Sequence, residues 1–111
     1  MSKRLRKHAP TLGYLAKCDR NYANAIIKGA KSDLIHCLSD VCHNVLRGNV
    51  TLSKAEKSRL KRYKNHIRKV ADKNTTAKNK RTLIQKGGFL GALLTPLLQV
   101  IGPMLKSLVT G

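Results

Sequence analysis

The densest chemistry in this chain is cationic. Between positions 54 and 86 stand 13 Lys or Arg against 2 acids. Lys57, Arg59, Lys61, Arg62, Lys64, Arg68 and Lys69 crowd one stretch, and the acids, Glu56 and Asp72, flank it. A helix face that is merely solvated mixes in acids for i,i+4 pairing. A face of one sign is suited instead to a polyanion. The chemistry it offers is displacement of counterions from phosphates. If six of these cations reach phosphates, the binding constant falls as roughly the fifth power of salt. The candidate nucleic-acid-binding residues are Lys54, Lys57, Arg59, Lys61, Arg62, Lys64, Arg68, Lys69, Lys73, Lys78, Lys80 and Arg81, joined by Lys3, Arg4, Arg6 and Lys7 at the N-terminus. Base readout is not indicated. There is no aromatic stacking platform, no finger spacing, and no recognition helix with Asn or Gln among its basic residues beyond Asn65. Binding without sequence preference is the expectation.

Other chemistries fall away on spacing. His36-Cys37 and Cys42-His43 pair metal-ligating types, but a helix would set positions 37 and 42 about 140° apart, on different sides. No metal site is expected. The 5 carboxylates are scattered, neither G-x-S-x-G nor a phosphate loop occurs, and no histidine has a matched nucleophile. The chain is therefore read as non-enzymatic, without a cofactor. Cys18, Cys37 and Cys42 make an odd count with no tight pairing, which reads as reduced, packed thiols.

The whole chain carries +18 at neutral pH with a pI near 10.5. Such a charge repels itself unless a polyanion neutralises it, so nucleic acid or an anionic membrane surface is the expected partner. Its 111 residues suffice for one small domain and a tail. With 1 Phe, 3 Tyr and no Trp, aliphatic side chains must build the interior. That composition and the scarcity of β-type alternation favour packed helices. The expected fold is all-α, a small bundle of about four to five short helices followed by a hydrophobic C-terminal segment.

Three regions follow from the pattern. Residues 1–10 form a basic N-terminal arm, disordered or briefly helical, turned by Pro10. They lack the apolar core of a secretory signal. Residues 11–86 form the basic helical domain. Thr11 caps a short helix with Leu12, Leu15 and Ala16, and Asp19 caps a second, Arg20 to Lys28, that turns Tyr22, Ile26 and Ala25 inward before Gly29. Leu34, Leu38, Val41 and Val45, widened by Ile35, Cys42 and Leu46, mark the central core helix, with Ser32 as its N-cap, Asp33 in its first turn and Gly48-Asn49 as its stop. Ser53-Lys54-Ala55-Glu56 is a capping box opening one long helix to Asp72 with the apolar stripe Leu60, Tyr63, Ile67 and Val70. Thr75 or Thr76 then caps a last basic helix to Lys86.

Residues 87–111 are the third region, a Gly-Gly junction and an apolar segment. From Phe89 to Leu105 there is no ionisable side chain. As one helix this run would span ~26 Å, at the short edge of a bilayer crossing, and Gly91, Pro96, Gly102 and Pro103 interrupt it. A membrane span, a helix folded into the core, and an interfacial or partner-docking peptide all stay open. For the last, the contact residues are Phe89, Leu90, Leu93, Leu94, Leu97, Leu98, Val100, Ile101, Met104 and Leu105. Gly87-Gly88 is correspondingly a flexible joint, a helix stop, or a place narrow enough to enter a protease cleft.

The order of basic block, paired glycine and apolar tail resembles the core protein X precursor of adenoviruses, which yields the DNA-condensing peptide mu. It resembles still more the short basic proteins of the Polinton (Maverick) and adintovirus group, where a Lys/Arg run and an end like QKGGFLGALLTPLL recur. The resemblance implies a virion core protein that neutralises and helps condense double-stranded DNA, located in the virion and the host nucleus. It further implies that a viral cysteine protease of the adenain type cuts between Gly88 and Phe89, reading Gln85, Lys86, Gly87 and Gly88. The alternative function is a membrane-active minor virion protein, in which the C-terminal segment contacts membrane or capsid protein.

Overall fold

The computed structural model describes residues 3–99 and Gly102. Among these residues the protein is all-helical, with α1 (Lys3–Lys17), α2 (Arg20–Gly29), α3 (Ser32–Leu46), α4 (Lys54–Lys61), α5 (Lys64–Ala71), α6 (Ala77–Gly87) and α7 (Leu90–Leu94). Helix α3 is the centre. It buries Leu34, Ile35, Cys37, Leu38, Val41 and Cys42, and it packs against α1, α5 and α6. Two apolar residues per turn on more than one side leave it no solvated half, which is why neighbours gather round it. Burial pushes the Cys37 and Cys42 thiols up to about 12, so both behave as small apolar side chains.

Several helix starts follow local sequence. Asp19 accepts the Tyr22 amide at 3.0 Å and opens α2. Ser53 and Glu56 close the expected capping box at α4, with the Glu56 carboxylate accepting from the Ser53 amide at 2.8 Å. Thr76 caps α6 through the Asn79 amide. At α3, in contrast, Lys31 occupies the cap position without a side-chain bond, and Ser32 is the first helical residue.

The first correction concerns residues 1–10. Residues 3–10 are no separate arm, because α1 runs through Pro10 without interruption. An internal proline costs about 3 kcal/mol or more. Offsetting it, Leu5, Ala9, Leu12 and Leu15 line one buried face, and each fully buried leucine contributes about 1.5–3 kcal/mol. The second concerns α2, whose buried residues are Ala23 and Ile27, while Tyr22 is 62% exposed and Ala25 is exposed as well. The third concerns residues 54–71, where the expected single helix is two. Arg62 and Tyr63 form a turn, with Tyr63 at φ −107° and ψ 13°. No proline or glycine causes the break. Helix α5 packs on α3, whereas α4 contacts α7, so the two halves have different neighbours.

The fourth correction is the largest. Phe89, Leu90, Leu93, Leu94 and Leu97 are buried in the same cluster as α1 and α3, and Leu98 packs partly against it. Phe89 has no exposed surface, its ring lying 6.0 Å from Tyr63 and 6.2 Å from His66 between centroids. Among the described residues no helix is long and apolar enough to cross a membrane. The apolar run through Leu97 is core, the second of the three readings open from sequence. Its buried leucines present no surface to a membrane or partner in this fold. Val100, Ile101, Met104 and Leu105 lie outside the described residues.

Candidate nucleic-acid interface

The five acids have settled positions in the fold. Asp19 caps α2, Glu56 completes the α4 capping box, and Asp72 accepts the Asn74 amide in the turn before α6. The other two, Asp33 and Asp40, stand on α3 facing α1. Arg4 bridges them, Nε to Asp33 at 3.3 Å and Nη1 to Asp40 at 2.9 Å. Lys7 reaches Asp33 at 3.3 Å, and His8 Nε2 donates to it at 2.6 Å. The bond from His8, with Lys7 beside it, lowers the Asp33 carboxyl to about 2. The bond to Asp40 raises the Arg4 guanidinium above its ordinary value. Of the expected N-terminal phosphate ligands, Arg4 and Lys7 are paired with aspartates, Lys7 while still exposed, and Lys3 and Arg6 are exposed with no ion pair among the described residues.

Glu56 in α4 and Asp72 at the end of α5 are the acids on these two helices, and both bond to backbone amides. Lys54, Lys57, Arg59 and Lys61 on α4, Arg62 at the turn, and Lys64, Arg68 and Lys69 on α5 are all exposed, and among the described residues none of them forms an ion pair. Lys73 and Lys78 continue the exposed cations into the turn and α6. Leu60, Ile67 and Val70 anchor this layer from beneath. The turn at Arg62 and Tyr63 divides the basic surface between two short helices. Such a surface can cradle phosphates but offers no continuous helix to lay in a groove.

Two of the expected ligands point the other way. Lys80 is only 4% exposed, its ammonium donating to Ser39 Oγ at 2.7 Å. That hydroxyl in turn donates to the Val70 carbonyl at 2.8 Å, so three helices meet at one short polar chain. Arg81 is half-buried, with Nη2 donating to the Ala30 carbonyl, and its Nε is buried without a partner among the described residues. Both are withdrawn from phosphates. Lys80 falls on the inner side of α6 with Ile84, four residues on, and that spacing is the one signal by which sequence could have found it.

The glycine pair serves as a helix stop. Gly88, at φ +66°, is the left-handed cap of α6, one residue later than a stop at Gly87 would place it. A Cβ on Gly87 would run into the Phe89 ring, and one on Gly88 would meet Arg20 Nη2 at 3.3 Å. Gln85 donates from Nε2 to the Asn24 carbonyl at 3.3 Å. The expected cleavage residues Gln85, Gly87, Gly88 and Phe89 are thus the end of α6, its cap and the buried residue that leads into α7. An extended strand fit for a protease cleft is not what stands here, since Phe89 would have to leave the core first.

Sequence reasoning missed a groove on the basic face. Val45, Leu46, Leu60 and Ile67 floor a depression of about 270 Å³, and Lys57, Lys61 and Lys64 line it. The 4-3 spacing of the three lysines was a legible strip. Leu46, however, which its place in the α3 stripe predicts to be core, is 41% exposed. Comparison with protein-family models, with curated proteins and with solved structures finds no match.

Proposed function

We propose that this chain binds double-stranded DNA without sequence preference, neutralising it through the exposed cations of α4, α5 and the turn to Lys78. One observation carries the reading. Among the described residues no acid forms an ion pair with the exposed cations of α4 and α5, so that face keeps a large positive excess in a chain of net charge +18. A patch of that kind supplies counterion-release affinity and steering rather than base selection. The resemblance to adenovirus-type core proteins supports a virion core and host nucleus as its setting, and a packaging role without enzymatic activity. Cleavage at Gly88 forms no part of the proposal, because residues 89–97 belong to the core.

The test is gel retardation by the full chain of unrelated duplexes across a salt series. Equal retardation is expected, with a log–log slope near −5 for about six phosphate contacts. A slope near zero, or strong preference for one duplex, would overturn the assignment.

A further inference from the structure

The floor of the α4–α5 groove is more than phosphate binding requires. A duplex backbone is bound chiefly through its phosphate oxygens, and ammonium groups on any solvated helix can meet them. Here the three ammonium-bearing side chains of Lys57, Lys61 and Lys64 surround four aliphatic residues, of which Leu46 stays 41% exposed and Val45 half-buried. Under DNA these carbons would gain little. The depression is also concave, so it receives an apolar group where a membrane-inserting surface would project one. At about 270 Å³ it lies below the ~300–1,000 Å³ typical of small-molecule sites. It suits one or two side chains of a larger partner.

We propose that this groove docks an acidic segment of a partner protein, which seats a leucine or phenylalanine on Val45, Leu46, Leu60 and Ile67 while its carboxylates meet Lys57, Lys61 and Lys64. Charge complementarity selects the occupant. The rim is cationic, and among the described residues it has no acid of its own to close over it. Apolar anchors laid into a groove and acidic motifs met by basic clusters are both recurrent modes of peptide recognition. The lysines are shared with the nucleic-acid face, so the segment and DNA exclude each other there. Leu46 separates the two readings, since the anchor needs it and phosphate does not.

The experiment measures binding of the full chain to two fluorescent Glu/Ala helical peptides, one with two leucines four residues apart and a twin with serines in their place. The leucine peptide is expected to bind at least about tenfold tighter, the worth of one well-buried side chain. Leu46→Gln should erase that advantage and leave the serine peptide's charge-driven binding in place. Because Leu46 is 41% exposed and is the last residue of α3, the variant should keep its helical circular dichroism, and urea unfolding checks this. Equal affinity for the two peptides, or an advantage that survives Leu46→Gln in a folded variant, overturns the proposal. So does loss in Leu46→Gln of binding to phosphatidylglycerol vesicles, or of self-association, if the leucine peptide shows no advantage; the groove would then belong to lipid or to a second copy.

Discussion

Arg4 and Arg62 are the same side chain in opposite company. Arg4 lies between two aspartates on α3 and fastens one helix to another, whereas Arg62 stands at an exposed turn with no acid in reach among the described residues. The first lends its charge to the fold, and the second keeps its charge for solvent and ligand. In a protein with 23 basic and 5 acidic residues, the placing of the few acids decides which cations are free. Counting basic residues along the chain cannot separate the two groups.

The sharpest way to break this contrast is to remove the unopposed cations. Replacing Arg59, Lys61, Arg62, Lys64 and Arg68 by Ala should lower the salt slope of DNA binding by about 0.9 for each lost phosphate contact, about four to five units if all five engage. Arg4→Ala with Lys7→Ala should change it by less than about one unit. An unchanged slope in the fivefold variant would remove α4 and α5 from the interface.

Next in size is the support beneath that face. Phe89→Ala should destabilise the full chain by about 3–5 kcal/mol in urea unfolding, the usual cost of deleting a buried ring. Were residues 89–97 a detachable tail, the substitution would be silent.

A smaller effect separates an inner cation from an outer one. Lys80→Ala should cost about 1–3 kcal/mol, through its lost methylenes and the bond to Ser39, and leave the salt slope alone. Lys64→Ala should do the reverse, lowering the slope by about 0.9 with little change in stability.

The least effect is one of pH. Asp33 is held near 2, below its ordinary 3.8. A carboxyl depressed on folding contributes stability that is full above its unfolded value and lost as pH falls through the folded one. Acid unfolding should therefore show a modest loss between about pH 4 and pH 2 that Asp33→Asn removes.

Much of this architecture was legible in the sequence. The caps at Asp19, Ser53 and Thr76 and the stripe of α3 are signals within one or two turns, where a side chain and its partner are neighbours in the chain. The helix through Pro10 was not legible. Its warrant is α1's contact with α3 and α7, and the ion pairs from Arg4, Lys7 and His8 to carboxylates at least 25 residues on. The break at Arg62 has the same origin, since α4 and α5 pack on different partners. The apolar run after Gly88 looked foreign to the basic body because its charge pattern is foreign. Packing depends on shape and burial, and by those criteria Phe89 to Leu97 fit the small aliphatic interior that the composition had left short of large anchors. Within the candidate interface, exposure of residues 54–69 followed from the narrow stripe of Leu60, Ile67 and Val70. The loss of Lys80 and Arg81 required knowing which side of α6 faces α3.

The short chain from Lys80 through Ser39 to the Val70 carbonyl also sets how freely the sequence can drift. Most exposed lysines could be exchanged for arginine with little consequence, because solvent accommodates either head group. At position 80 a bulkier, forked guanidinium would have to enter a space shaped for one ammonium. A library that swaps every lysine for arginine should thus return one conspicuous silence among many tolerated changes, at a residue that shares its charge with the surface and its fate with the interior.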